Sequence, residues 1–165
     1  MTHPCVRRLA TLAMLVLFAC ASDDIPVSTN YDPLEQFPAS STYIWDDAQN
    51  QLPKNPEVDP KSTAALLRSV IDEAFAARNW HAVTGSAPYR LSYQFSIHTF
   101  RGVDVSTATG SLSLLLSDHE SGRRVWTGFG QAEVFVGLSP EERRARLRDA
   151  MERMLQNFPP AQRPR

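Results

Sequence analysis

A strict two-residue alternation of apolar and polar side chains runs through residues 89–98 and constrains the fold more than any other feature. Its apolar positions are Tyr89, Leu91, Tyr93, Phe95 and Ile97. Because neighbouring side chains of a β-strand point to opposite faces, this pattern predicts a long strand with one buried face. Residues 111–116 repeat the pattern, and residues 124–136, which include Gly128 and Gly130, predict a third strand with a bend or close packing. Three long strands in succession predict an antiparallel meander.

Two other segments have the 3.6-residue spacing of amphipathic helices. The first runs from Pro60 to Asn79, with Asp59 as its predicted N-cap. The second begins at the capping box Ser139-Pro140-Glu141-Glu142 and ends after Phe158, where two prolines follow. Each helix therefore has defined ends and one apolar face to bury.

The remaining apolar pieces are short. Val27–Tyr31 and Thr42–Trp45 each predict a strand, and Asn79 predicts a left-handed stop after which Trp80 folds back onto the first helix. The order is then strand, strand, helix, three strands, helix. The predicted fold class is α+β, with an antiparallel sheet of four to five strands and two helices packed on one face.

The first residues predict export. Arg7 and Arg8 precede an apolar run, Leu9–Ala19, and polar residues follow it. As a helix this run would rise only about 15 Å, half the hydrocarbon thickness of a bilayer, so it indicates a cleaved signal and no permanent span.

Leu17-Phe18-Ala19-Cys20 resembles the lipobox of bacterial lipoproteins. Cys20 would then carry a diacylglycerol and an amide-linked acyl chain such as palmitate, and two or more chains anchor a protein stably. The alternative is an ordinary secreted protein in which Cys20 happens to end the apolar run. Ala21 stands where an aspartate would retain an enteric lipoprotein at the inner membrane, so the resemblance implies the outer membrane.

The chain accordingly divides into four parts: a signal peptide (1–19), a lipidated cysteine and tether (20–26), one periplasmic α+β domain (27–160) and a C-terminal tail (161–165). Cys5 and Cys20 are the only cysteines, so the domain has none for a disulfide, a thiolate ligand or a nucleophile. Removal of Arg7 and Arg8 with the signal takes the formal charge from −1 to −3, which does not indicate a nucleic-acid partner.

Several short motifs occur in a recognisable order. They are Val27-Ser28-Thr29-Asn30-Tyr31-Asp32, Phe37, Thr42-Tyr43-Ile44-Trp45, Gly110-Ser111-Leu112, Asp118 with Gly122, Val125-Trp126-Thr127-Gly128, and Phe158-Pro159-Pro160. In this order they resemble the bacterial lipoprotein family called domain of unknown function 4136, over nearly the whole mature chain. Asn79 stands where the family tends to have glycine. The resemblance implies a membrane-anchored periplasmic domain with no agreed activity.

Polar clusters offer little catalytic chemistry. Asp118, His119 and Glu120 are residue types that bind metals, but the more favoured interpretation is a solvated hairpin turn. Asp46 and Asp47 are adjacent on an extended chain and so point to opposite sides. Neither a Gly-x-Ser-x-Gly elbow nor a glycine-rich phosphate loop is present. The sequence therefore predicts no catalytic residue, no metal ligand and no cofactor.

Two surfaces are candidates for binding. The second helix carries five arginines, which are suited to binding lipid phosphates. Glu142 with Arg146, and Asp149 with Arg153, are however spaced i, i+4, so a solvated face of salt bridges is the favoured interpretation. The second surface is a possible apolar ligand cleft lined by aromatic side chains, and its candidate residues are Trp45, Tyr93 and Trp126. Most aromatic side chains, however, are expected in the core.

Two functions follow as hypotheses. The first is a non-catalytic binding or structural module of the cell envelope, held by the lipid on Cys20 and binding an envelope protein or lipid. The second is an envelope hydrolase or metal-dependent enzyme that uses Asp118, His119 and Glu120 or the loop carboxylates. The first is favoured because an enzyme needs polar groups that converge in a pocket, and the polar clusters fall in predicted turns.

Overall fold

A computed structural model describes residues 25–54, 59–101, 106–134 and 138–160. The predicted signal peptide, Cys20 and the C-terminal tail lie outside the described residues. None of the helices found in the described part is both long enough and apolar enough to cross a membrane.

The described residues form two helices and six strands. The helices are α1 (Pro60–Ala76) and α2 (Pro140–Met154). The strands are β1 (Val27–Tyr31), β2 (Ser41–Trp45), β3 (Trp80–Ala82), β4 (Tyr89–Arg101), β5 (Ser106–Asp118) and β6 (Arg124–Val134).

The strands make one mixed sheet in the order β1-β6-β5-β4-β2-β3. β4, β5 and β6 form the predicted antiparallel meander, and β1 pairs antiparallel with β6. β2 runs parallel to both of its neighbours, β4 and β3. The α+β class and the two helices are confirmed, whereas the expectation of four to five antiparallel strands is wrong in both number and direction.

The strand missed in the sequence is β3. Asn79 has the predicted positive φ, 61°, and the chain then continues along the sheet as β3. The Asn79 carbonyl accepts a hydrogen bond from the Ser41 amide at 3.2 Å, and Trp80 pairs with Ser41 and is fully buried. Three residues are too few for alternation to be visible, and the crossover through α1 makes the pair parallel.

Side-chain caps fix the start of both helices. The Asp59 carboxylate accepts hydrogen bonds from the amides of Lys61 and Ser62, and Ser139 and Glu142 form the predicted reciprocal capping box. Hydrogen bonding from the side chain and the amide of Ser62 lowers the pKa of the Asp59 carboxyl group, and hydrogen bonding with Ser139 lowers that of Glu142. α2 ends earlier than predicted because a turn, in which the Phe158 amide donates to the Leu155 carbonyl at 3.0 Å, carries Phe158 into the core.

Both helices bury their apolar stripes against the same face of the sheet. The buried helix residues are Leu67, Val70, Ile71, Ala74 and Phe75 of α1 and Met151 and Met154 of α2. They share one cluster with Leu91, Tyr93, Leu114 and Trp126 of the sheet. Arg78 joins the ends of the two helices, since its guanidinium donates to the carbonyls of Leu155 at 2.7 Å and Ala74 at 3.0 Å.

The position of α2 depends on a glycine in β6. A Cβ atom on Gly128 would stand 2.5 Å from Cγ and Sδ of Met154 and 2.5 Å from Cη2 of Trp126. Real Cβ atoms do not approach other atoms so closely, so the absent side chain is what lets α2 lie on the strand. Gly130 is less crowded, with Cε of Met154 at 3.2 Å.

We predict that Gly128→Ala lowers the free energy of unfolding by about 1–3 kcal/mol, because the new methyl group overpacks the contact with Met154. Urea unfolding of the mature protein, followed by tryptophan fluorescence, measures the change. Gly130→Ala is the matched control. Its expected loss of unfolding free energy is smaller, since only the terminal methyl group of Met154 must move. Equal losses for the two variants would contradict this account.

Candidate functional site

A shallow pocket of about 490 Å³ lies between β2, α1 and the chain that leaves β3. Its lining residues are Trp45, Arg68, Asp72, Ala82, Val83 and Thr84, and it is called the Trp45 pocket below. Trp45 ends β2, and Arg68 and Asp72 stand one helical turn apart on α1. The pocket therefore exists because α1 crosses from β2 to β3 beside the edge of the sheet.

Asp72 is the polar centre of the Trp45 pocket. Its Oδ1 accepts a hydrogen bond from the Tyr43 hydroxyl at 2.6 Å and another from Nε1 of Trp45 at 3.2 Å. Tyr43 is fully buried, and burial, assisted by the bond to Asp72 and its charge, raises the pKa of the Tyr43 hydroxyl far above its ordinary value. Tyr43 therefore remains a protonated donor that holds the carboxylate in place.

Arg68 covers the outer side of Trp45. The carbon of its guanidinium lies 4.9 Å from the centroid of the Trp45 ring, a cation–π distance, and the same guanidinium pairs with the Asp47 carboxylate. The Arg68 side chain is 35% exposed, so ligand and solvent can reach it. The Trp45 pocket thus offers a ligand three groups close together: the carboxylate of Asp72 as acceptor, the guanidinium of Arg68 as positively charged donor, and the ring of Trp45 as an aromatic wall.

Of the three aromatic residues predicted to line a ligand cleft, the fold brings Trp45 and Tyr93 together but places Trp126 elsewhere. The rings of Trp45 and Tyr93 lie 6.0 Å apart, edge to face, with Tyr93 buried behind Trp45. Trp126 lies in the core, where it packs on Phe75 at 6.3 Å and on Phe158 at 5.1 Å, and it does not line the pocket.

Arg68 and Asp72 were not singled out in the sequence. Their i, i+4 spacing places them beside each other on α1, on the flank of the apolar stripe. Charged residues at this spacing are as typical of a solvated helix face as of a binding site. Their partners Tyr43, Trp45 and Asp47 are distant along the chain, and only the fold joins them.

The other predicted clusters have structural partners. Oδ1 of Asp118 accepts from the amide of Ser121 at 2.8 Å and from its hydroxyl at 2.5 Å, which lowers the pKa of Asp118 and closes the hairpin turn. Nδ1 of His119 accepts from Nε of Arg90 at 3.1 Å. Within the described residues, no group of three or more histidine, cysteine, aspartate or glutamate side chains could hold a metal ion.

Arginines of α2 bind carboxylates of the domain itself. Arg144 pairs with Glu73 of α1 and donates to the Ser69 hydroxyl at 3.0 Å, and Arg148 lies 3.7 Å from the same glutamate. Arg153 pairs with Asp149 at 3.2 Å, as the i, i+4 spacing indicates. These contacts favour the salt-bridged face over a phosphate site.

The Trp45 pocket is suited to recognition. Of its lining residues only Thr84 carries a hydroxyl, and none is a histidine or a cysteine. Asp72, the acidic group, is already held by two donors. Such an arrangement orients a ligand through hydrogen bonds, ionic contact and apolar packing.

One protein family matches most of the chain. A family model described as Domain of unknown function (DUF4136) matches residues 27–160, which confirms the resemblance seen in the sequence. None of the curated proteins compared matches the chain.

Three solved structures are similar to this one. The PelC dodecamer from Paraburkholderia phytofirmans is 13% identical, with 80% of this chain and 95% of that chain covered and a TM-score of 0.51. A PDZ domain protein from Parabacteroides distasonis is 9% identical, with 86% and 37% covered and a TM-score of 0.53. Lipoprotein GNA1162 from Neisseria meningitidis is 13% identical, with 71% and 99% covered and a TM-score of 0.46. At these identities the likeness to the first two structures shows the fold alone.

We predict that Asp72→Ala lowers the free energy of unfolding by about 1–3 kcal/mol, because the buried Tyr43 hydroxyl loses its acceptor. Adding Tyr43→Phe removes the stranded hydroxyl, so the double variant should be more stable than Asp72→Ala alone. Urea unfolding of the four proteins of this cycle supplies the measurement. A double variant that is less stable than Asp72→Ala would show that the hydrogen bond does not carry the effect.

Proposed function

Because the chain belongs to the family described as Domain of unknown function (DUF4136), we propose that it is a lipid-anchored lipoprotein of the cell envelope whose domain is a non-catalytic binding module. The domain faces the periplasm from the outer membrane, with the anchor on Cys20. Its binding site is the Trp45 pocket, and its ligand is an extended peptide segment of an envelope protein.

The anchor is supported by the order of residues before the domain. Two arginines, an apolar run and the lipobox-like Leu17-Phe18-Ala19-Cys20 precede β1 by only a few residues. Ala21 in the position after the cysteine favours the outer membrane. Acyl chains on Cys20, among them palmitate, keep the domain at the membrane surface.

The observation that carries the binding role is the mutual fixation of the polar groups in the Trp45 pocket. Tyr43 and Trp45 both donate to Asp72, and Arg68 is held over Trp45. Groups that are held in place before a ligand arrives lose little conformational entropy when it binds.

A peptide is favoured because the pocket adjoins β3, which has no described strand on its outer side. β3 is the terminal strand, and its pairing with β2 uses the Asn79 carbonyl and the Val83 amide, so the backbone groups of Trp80 and Ala82 point away from β2. An extended peptide can add to such an edge through main-chain hydrogen bonds. One side chain of the bound peptide then reaches the Trp45 pocket. The charged and aromatic groups of the pocket select that side chain by its charge, hydrogen bonding and apolar surface.

For the anchor, we predict that the wild type is labelled by radioactive palmitate in cells and sediments with the outer membrane. Cys20→Ser removes the only acceptor thiol at the predicted cleavage site. The variant should therefore carry no label and should no longer need detergent for its extraction from membranes. An unlabelled wild type, or a labelled Cys20→Ser protein, would contradict lipidation at this cysteine.

For the binding site, the experiment is a pulldown from detergent-solubilised envelopes with the lipidated protein and its variants, with co-purifying proteins and lipids identified by mass spectrometry. Ala82→Phe places a ring in the pocket at an exposed position. We predict that it reduces recovery of the ligand by tenfold or more, about 1.4 kcal/mol of binding free energy. His81→Phe, on the opposite face of the same strand, is the matched control and should retain it.

The outcomes separate the alternatives. Loss in Ala82→Phe alone supports the Trp45 pocket, and equal recovery with both variants places binding elsewhere. A wild type with which nothing co-purifies contradicts the binding module, and hydrolysis of envelope material by the purified protein would support the enzyme hypothesis.

A further inference from the structure

At the opposite edge of the sheet, β1 pairs with no described strand other than β6. Its pairing with β6 uses the Pro26 carbonyl, which accepts from the Gln131 amide at 3.2 Å, and the Asp32 amide, which donates to the Val125 carbonyl at 2.9 Å. Because antiparallel pairs alternate, the N–H and C=O groups of Val27, Thr29 and Tyr31 point away from β6. Within the described residues, no backbone hydrogen bond outside the strand ladders reaches these groups.

Within β1 itself, several features by which proteins usually protect a sheet edge are absent. All five residues of β1 are exposed, and none is charged, a proline or a glycine. The pairing of β1 with β6 runs without a register shift, so no bulge turns the edge away. By contrast, β3 at the other edge has only three residues. A regular, uncharged strand with free backbone groups is a template for pairing with another chain.

Exposed apolar side chains gather around the same strand. In the described part of the chain, the large exposed hydrophobic residues are Val27, Tyr31, Leu34, Val83 and Phe129. The first two lie on β1, Leu34 follows in the next turn, and Phe129 pairs with Ser28 on the neighbouring strand. Four of the five thus surround β1, and such a concentration marks an interaction surface.

We propose that β1 pairs antiparallel with β1 of a second copy of this chain, about a two-fold axis through Thr29. In this register Thr29 faces its own equivalent, and Val27 faces Tyr31 of the other copy. Each copy supplies the N–H and C=O groups of those three residues, so every outward group of the strand finds a partner and the two sheets become one.

The side chains of the edge are compatible with this register. Val27 against Tyr31 is an aliphatic–aromatic cross-strand pair on each side of the axis, and Ser28 against Asn30 is a neutral polar pair. No like charges meet within the strand. Asp32, just beyond it, is paired with Arg123, which also pairs with Glu35 at 2.9 Å.

Strand pairing accounts for the edge better than contact with lipid does. The apolar side chains alone would suit a membrane surface. The backbone groups of Val27, Thr29 and Tyr31 would not, because hydrocarbon offers them no hydrogen-bond partner. The pairing uses only β1 and does not rest on the proposed function of the Trp45 pocket.

Disulfide trapping in the periplasm tests the register. Residues 27–160 contain no cysteine, so Thr29→Cys introduces one thiol into the domain. Facing residues of a hydrogen-bonded antiparallel pair have Cα atoms about 5.5 Å apart, within disulfide reach. We expect a dimer band on a non-reducing gel for Thr29→Cys, and none for the wild type or for Ala82→Cys on β3. A band for Ala82→Cys but not for Thr29→Cys would overturn the proposal.

The molar mass tests the assembly without a disulfide. We expect the detergent-solubilised mature protein, measured by light scattering with the detergent contribution subtracted, to have twice the mass of one chain. Thr29→Lys, which sets two ammonium groups opposite each other, should halve that mass, and Thr29→Ser should preserve it. Circular dichroism confirms that both variants are folded. A monomeric or larger wild-type assembly, or a Thr29→Lys protein of unchanged mass, contradicts the two-fold pairing.

Discussion

The ring of Phe158 is the contact on which the rest of the fold depends. It lies 5.0 Å from the ring of Trp80, 5.1 Å from those of Phe75 and Trp126, and 6.1 Å from that of Phe37. These partners come from β3, α1, β6 and the chain between β1 and β2, so one side chain near the C-terminus joins distant parts of the domain. Because residues 27–160 contain no cysteine, this aromatic packing joins the distant parts of the domain without any disulfide.

The position of the Trp45 pocket is a consequence of that core. Burial of Trp80 against Phe158 and Tyr89 holds β3 beside β2, and the residues after β3 then form one wall of the pocket. On the other side, Tyr43 packs on Phe75 at 5.3 Å and carries its hydroxyl to Asp72. The site is therefore held by large buried side chains, although the pocket itself is open to solvent.

The parts of this structure that the sequence predicts are those with local signals. The alternation around Tyr93 identifies β4, and the capping box at Ser139 identifies the start of α2, because each depends on nearby residues. β3 escapes prediction because three residues show no period, and the parallel direction of β2 depends on where α1 returns the chain. Asp72 escapes for a related reason: its partner Tyr43 is 29 residues away, so helical spacing alone makes it a solvated residue.

The two edges of the sheet are chemically unlike, and this difference is the reason we propose a different partner for each edge. β3 is short, and the Trp45 pocket beside it can distinguish one side chain from another, which suits a foreign peptide. β1 is longer and carries no charge, so the proposed register sets no like charges opposite each other, which suits a second copy. A dimer joined through β1 would present two Trp45 pockets at opposite ends of one continuous sheet. A partner with two matching segments would then bind with the added strength of bivalency, which neither pocket has alone.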